Sequence, residues 1–428
     1  MMIADSHQDH TASYYAASAN KQTAYEQLNG HKKTDVCVIG AGFTGISTAL
    51  HLVERGYKVH VLEANKVGWG ASGRNGGQMI GGISGESRLS RDLSKMNEKL
   101  AFEMGWQGHK IIRDRVKKYN IKCDLKNGYI DVAIKPKHVK DLENYAKVLD
   151  EYNFDFGQEL LNRDEVCQIL GTQKYIGGLK INYNGHLHPL NLCIGEADAL
   201  SALGAVINEK SPVIKITHGV KPVVATQYGS VEADFVVLAG NAYHFLEPKL
   251  RGAVLPVKSF IIGSEPLSSD VVNKINPQDL AVCDPNYILE YFRLSADKRL
   301  LFGRRFPYFG DNPEIIKNAL IPKMLKVYPE LKNTNFEFGW GGTIGVTVNR
   351  VPQLGRISDN IFYSQGYSGH GVNVTHLAGQ IMADIIGGTA ERFDVFSKIK
   401  PIIFPGQHLF RNQLVSLGML YYRLIDAL

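Results

Sequence analysis

Short apolar runs separated by glycine turns and helical stripes set the pattern of this chain. Between Thr34 and Glu63, Val36–Ile39 is apolar, Ile46, Ala49, Leu50 and Val53 recur at three- and four-residue spacing, and Val59–Leu62 is a second, largely apolar run. Short unbroken runs suit strands buried on both faces, and the spaced stripe suits one face of a helix. The pattern predicts strand, turn, helix, strand, with Gly40-Ala41-Gly42-Phe43-Thr44-Gly45 as the turn and Glu63 closing the second strand.

Further on, the pattern predicts helices over 87–119, 139–152, 190–203 and 313–327, with a short helix starting near Asn162. Strands are expected over 128–134, 175–183, 213–217, 233–238, 252–263, 287–294, 299–305, 336–340 and 361–364. A last helix runs through Val372, Leu377, Ile381 and Ile385. The middle third reads as antiparallel strands with flanking helices, a second α+β unit beside the first. Residues 1–12 read as a disordered tail, and Tyr14–Leu28, with its tyrosines, as a strap packed on the surface. The tail from Pro401 reads as an amphipathic cap, with a membrane or partner contact as the other reading.

Composition narrows the class. A chain of 428 residues, 44% apolar, can bury more than one core. The formal charge of +6 is modest, and the five basic residues within 110–118 alternate with Ile111, Ile112 and Val116, which predicts a solvated helix face and no nucleic-acid groove. Five scattered cysteines form no CxxC pair or zinc spacing, which argues for a reducing compartment and no metal site. The N-terminus lacks a signal-peptide pattern, and no apolar run reaches about 18 residues, so a cytoplasmic enzyme without a transmembrane segment is expected. Oligomerisation is left open.

The glycines carry the chemistry. Gly40 lets the chain turn out of its strand, Gly42 lets backbone approach a pyrophosphate, and Gly45 lets the helix pack on the sheet, so that the free N–H groups of its first turn face phosphate. Glu63 is placed for a ribose. Five glycines in Gly68–Gly77 bring backbone N–H groups against a large planar or phosphorylated ligand, or else form a plain surface loop. Gly366-Tyr367-Ser368-Gly369-His370-Gly371 opens a second helix toward a negatively polarised atom.

DVCVIGAGFTGISTALHLVERG, ASGRNGGQ and GYSGHGVNVTHLAGQIMADIIGG, in this order, resemble the D-amino-acid oxidase-like, or glycine and sarcosine oxidase-like, flavoprotein family from about Thr34 to Phe396. The resemblance implies an α/β fold: a discontinuous Rossmann-like FAD-binding domain over 34–90, 185–248 and 341–396, and a substrate domain on a mainly antiparallel sheet over 91–184 and 249–340. Residues 1–33 and 397–428 would be strap and cap. It lays FAD across Gly40, Gly42, Phe43, Thr44, Gly45, Glu63 and Ala64, with Ala71, Ser72, Gly73, Arg74, Asn75, Gly76 and Gly77 beneath the pyrophosphate and ring. Val213 would lie by the adenine, Ala239 and Gly240 by the pyrophosphate, and Ser368, Gly369, His370, Gly371 and Val372 at the pyrimidine edge. His370 would help stabilise charge on the reduced ring or only fill space. Members that tether FAD use a cysteine in the stretch corresponding to Gly341–Ile344, which is Gly-Gly-Thr-Ile here, so FAD should be noncovalent.

The resemblance also bears on the substrate. Amino-acid oxidases of the family place an arginine for the α-carboxylate where this chain has Ile344, and an apolar side chain cannot replace a guanidinium. Ser13–Lys21, His188–Leu200 and Ala239–His244 resemble, more narrowly, a subgroup acting on an N-acylated diamine. Implied is hydride transfer from the carbon bearing a neutral primary amine to flavin N5, then hydrolysis of the imine, with oxygen as electron acceptor. Amino-acid oxidation, or a dehydrogenase using another acceptor, is the alternative. Gln78 and Met79 are expected to face the ring, Met79 otherwise packing in the core. Tyr287, Tyr291 and Arg293 are expected as an aromatic and cationic substrate wall, or else a structural face. His186 and His188 are read as loop hydrogen-bonders.

Overall fold

The computed structural model describes residues 8–85, 95–154, 157–243, 246–305 and 310–404, with side chains left out at 95–97. Two sheets carry the fold. The first has eight strands in the order 353–358, 361–365, 229–238, 30–39, 59–62 and 206–208, with the 215–217 and 223–225 pair attached to the 229–238 strand. Its central strands are parallel, Val38 pairing with Val61 on one side and Val237 on the other. Both faces are covered, which is why these strands read as continuous apolar runs.

The Phe43–Val53 helix leaves the first strand through Gly40, whose φ of +108° is a conformation that side chains rarely adopt. A methyl on Gly45 would lie 1.8 Å from the Gly40 carbonyl oxygen, so glycine here sets the distance of the helix from the turn. The Gly371–Ile386 helix packs on the same core through Val374, Leu377, Ala378 and Ile381.

The second sheet has nine strands in the order 336–346, 255–264, 300–305, 290–294, 281–283, 126–133, 177–186 and 78–79, with 158–162 paired to 177–186. All its pairings are antiparallel except that of 281–283 with 126–133. A separate core, with Phe260, Phe292, Phe302 and Tyr328, lies on one face under the Pro313–Met324 helix. Among the described residues the expected helices and strands are present with ends shifted by a few residues, residues 87–94 of the helix expected over 87–119 lie outside them, and Asn162 forms a capping box with Glu165.

Several expectations need correction. Phe336–Val346 is one strand of the second sheet, so the boundary expected at 340/341 falls inside it. The tail is held from residue 8 onward: the Gln8 N–H donates to Asn65 Oδ1 at 2.8 Å, the Trp69 indole donates to the Asp9 carbonyl at 3.1 Å, and Asp9 pairs with Lys66. The strap is more than a surface cover. Tyr15 is fully buried, edge-on to Trp340 at 5.3 Å and to His188 at 5.0 Å. The cap expected over 397–428 lies outside the described residues beyond 404. No described helix is long and apolar enough to cross a membrane.

Candidate active site

One cavity of about 840 Å³ runs from the C-terminal ends of the first sheet's parallel strands across a face of the second sheet. Its first half is lined largely by backbone. Gly40, Gly42, Phe43 and Thr44 line it, and the first-turn N–H groups of their helix have no carbonyl of that helix to bond. Ser72 Oγ accepts from the Phe43 N–H at 2.9 Å, and a methyl on Gly42 would come within 2.8 Å of that hydroxyl. Glu63 receives the N–H groups of Ala41 at 2.8 Å and Asn65 at 2.9 Å, and burial raises its pKa. Ala64, Ala71, Ser72, Val213, Ala239 and Gly240 continue the lining.

At the other end of this half, Ser368, Gly369, His370, Gly371 and Val372 line the cavity, and the Gly371–Ile386 helix has no side-chain cap. Ser368 has a φ of +54°, held by its N–H on the Gly345 carbonyl and its hydroxyl on the Thr347 N–H. Such strain persists where the surroundings over-determine it, commonly at functional sites. The His370 Nε2–H donates to the Gly81 carbonyl at 2.8 Å, and burial lowers its pKa, so the ring is neutral.

Some residues expected to touch cofactor hold the loop that lines the cavity. Gly73 and Gly77 are off the lining; methyls there would lie 2.3 Å from the Gly68 carbonyl and 2.2 Å from that of Leu187. Gly45 serves helix packing, off the lining as well. Asn75 and Arg74 line the cavity while clamping the loop, Asn75 through the Ala71 and Ser72 carbonyls and the Gly77 N–H, Arg74 through the Trp69 carbonyl.

The second half is lined by side chains: Gln78, Tyr287, Tyr291 and Ile344 from the expected set, joined by Tyr129, Asp131, Asn184, Asn286, Arg305 and Arg350. Two expectations fail. Met79 is fully buried in the core off the lining, because its short strand alternates and Gln78 takes the cavity side. Arg293 is also off the lining; its guanidinium donates to the carbonyls of Gly76, Leu187 and Leu294 and to Tyr15 Oη at 2.8–3.1 Å, stapling glycine loop, strap and sheet together. Gln78 spends its amide donors on the Val282 and Phe292 carbonyls. His186 and His188 are loop hydrogen-bonders, to the Asp279 carbonyl and to the Asn191 N–H.

Sequence reasoning missed Asp131 and Arg305. The Tyr129 hydroxyl donates to Asp131 at 2.6 Å, and burial pushes that carboxyl up to about 6. For Arg305 a signal existed: Gly303, an isolated glycine inside a strand, marks a close approach. A methyl there would lie 2.2 Å from the Tyr291 ring.

The glycine approaches that a Cβ would fill, the two helix N-termini and the buried Glu63 fit FAD, and with the two-sheet fold they define the class: an FAD-dependent oxidoreductase acting on an amine or amino-acid donor. The family model described as FAD dependent oxidoreductase (DAO) matches residues 35–385, and the chain belongs to that family. It is 42% identical to the gamma-glutamylputrescine oxidoreductase of Escherichia coli, over 98% of this chain and 99% of that protein. It is 40% identical to a probable oxidoreductase of Haemophilus influenzae, over 99% of each. Among solved structures, glycine oxidase from Geobacillus kaustophilus superposes with a TM-score of 0.72 at 20% identity, over 87% of this chain and 100% of that one, a likeness of fold. The FAD is noncovalent.

Proposed function

We propose that the protein oxidises the terminal primary amine of gamma-glutamylputrescine. Amine, oxygen and water would give gamma-glutamyl-gamma-aminobutyraldehyde, ammonia and hydrogen peroxide. The observation that carries this reading is the end-to-end likeness to the E. coli enzyme of that name. Ile344 in the cavity wall agrees with it, since this position carries no arginine, the guanidinium beside it coming from Arg305 on another strand.

FAD, when bound, supplies the acceptor for the hydride that leaves the amine-bearing carbon. The protein's part is binding and positioning. Gly40, Gly42, Thr44, Ser72, Ala239 and Gly240 cradle the diphosphate, and Glu63 accepts from a ribose hydroxyl. The uncapped N–H groups of Gly371 and Val372 face negative charge that develops on reduction. His370, neutral and bonded to Gly81, holds that helix start against the 80–82 turn. Tyr287, Tyr291 and Ile344 shield the reacting end of the amine from water. The five free cysteines support a reducing, cytoplasmic setting.

Arg305 in the cavity favours one second reading, oxidation of an amino acid such as sarcosine or glycine. Anaerobic mixing with gamma-glutamylputrescine, putrescine, sarcosine, glycine and D-alanine, followed by flavin absorbance, separates the two. Rapid bleaching by the acylated diamine alone is expected, because its glutamyl end supplies binding energy that putrescine lacks. Faster bleaching by sarcosine or glycine overturns the substrate. Failure of air to restore the oxidised spectrum would turn the oxidase into a dehydrogenase.

A further inference from the structure

Two consecutive arginines end the Leu300–Arg305 strand and meet opposite fates. Arg304 pairs with Glu290 at 2.5 Å on one face. Arg305, on the other, lines the cavity with no carboxylate at ion-pair distance among the described residues. Among the described residues its hydrogen bonds are to the carbonyls of Tyr287 and Ser368, both at 3.4 Å, long beside the ~2.7–2.9 Å of a charge-assisted bond. The guanidinium fills space left by Gly369, where a methyl would stand 2.5 Å from Nη2. Burial, then repulsion from Arg350, another lining residue, pushes its pKa down to about 10. Asp131 faces the same cavity but comes from a strand three positions away in the sheet, roughly 14 Å at ~4.8 Å per strand, and its hydrogen bond is to Tyr129.

A half-buried cation beside a second cation, with no acid at ion-pair distance among the described residues, is placed to receive an anion that a ligand brings. We propose that Arg305 is the anchor for the carboxylate of the substrate, with Arg350 adding to the positive potential around it. This rests on the acylated-diamine reading, in which the only carboxylate sits on the glutamyl end, remote from the reacting amine. Planar guanidinium and planar carboxylate meet through two parallel hydrogen bonds, so the pair fixes orientation as well as charge. Arg305 and Ile344 both border Gly369, so the anchored carboxylate would sit beside the apolar wall and the diamine would run from there to the reacting position.

The test uses the FAD-loaded enzyme as wild type, Arg305→Met and Arg305→Lys, with flavin content confirmed equal. Three probes separate charge from amine chemistry: gamma-glutamylputrescine; N-butyrylputrescine, which keeps amide and amine but has no carboxylate; and glutarate, a carboxylate without an amine, titrated by calorimetry. Arg305→Met is expected to raise KM for gamma-glutamylputrescine by about 30-fold or more and to weaken glutarate by a similar factor, with KM for N-butyrylputrescine unchanged. Arg305→Lys should fall between, keeping charge and losing the fork. Equal losses on both amines, or glutarate binding that ignores the substitution, overturn the anchor. Glutarate binding that depends on Arg305 in an enzyme that gamma-glutamylputrescine does not reduce leaves the anchor standing and removes the substrate reading instead.

Discussion

The two halves of the cavity are built from different materials. The half that fits the cofactor is lined chiefly by main chain from Gly40–Thr44, Ala71–Ser72, Ala239–Gly240 and Ser368–Val372. The half left for substrate is a mosaic of side chains, Tyr129 and Asp131 from one strand, Tyr291 and Arg305 from two others, Ile344 from a fourth. Backbone binds the invariant part of the chemistry and leaves little room for substitution. Side chains on a sheet can be exchanged one at a time without moving the main chain that carries them.

The largest test of this contrast is Gly42→Val. A branched side chain would collide with Ser72 and fill the backbone approach, so FAD occupancy of purified protein should fall by at least tenfold, read from the ratio of flavin to protein absorbance. Normal occupancy would mean that the first half is not the cofactor's.

Next comes Arg293→Met. Removing a buried guanidinium strands three carbonyls and the Tyr15 hydroxyl, at a cost of about 3–5 kcal/mol, measured by denaturant unfolding of the holoenzyme. A raised KM with unchanged stability would instead return Arg293 to the substrate wall.

The smallest effect concerns Asp131. Its folded pKa of about 6 lies above the ordinary carboxylate value, so the folded state binds the proton more tightly than the unfolded one. The protonated side chain fits without penalty below about pH 4, and stability is lost as pH rises toward 6 and stays lost above it. Asp131→Asn keeps the acceptor for Tyr129 and should gain about 1–3 kcal/mol at pH 7.5, with almost no gain at pH 4. An equal gain at both pH values would show that the carboxylate is neutralised by something else.

The contrast also explains what could be read from sequence. Backbone-built sites follow from local spacing, so Gly40 to Glu63 and Gly366 to Val372 were legible as strand, turn and helix N-terminus. The substrate wall depends on which strands become neighbours. Arg305 joins Tyr291 only because the strands 290–294 and 300–305 pair with Tyr291 opposite Gly303. Alternation placed Tyr291 and Arg293 on one face, as the structure has them, but could not tell that Gly76 and Tyr15 would come over Arg293 and claim it. Met79 shows the same limit at a distance of one residue, since a two-residue strand gives no pattern from which to choose a face.

Burial of Tyr15 has a consequence for how the molecule is made. A ribosome delivers residue 15 early, yet its partners His188, Arg293 and Trp340 emerge some 170, 280 and 325 residues later. The strap must therefore wait, an unshielded pair of tyrosines on the nascent chain, until some 325 further residues have left the exit tunnel. The strap is made well before the residues that seat it, and during that interval it is an apolar handle for chaperones or for aggregation.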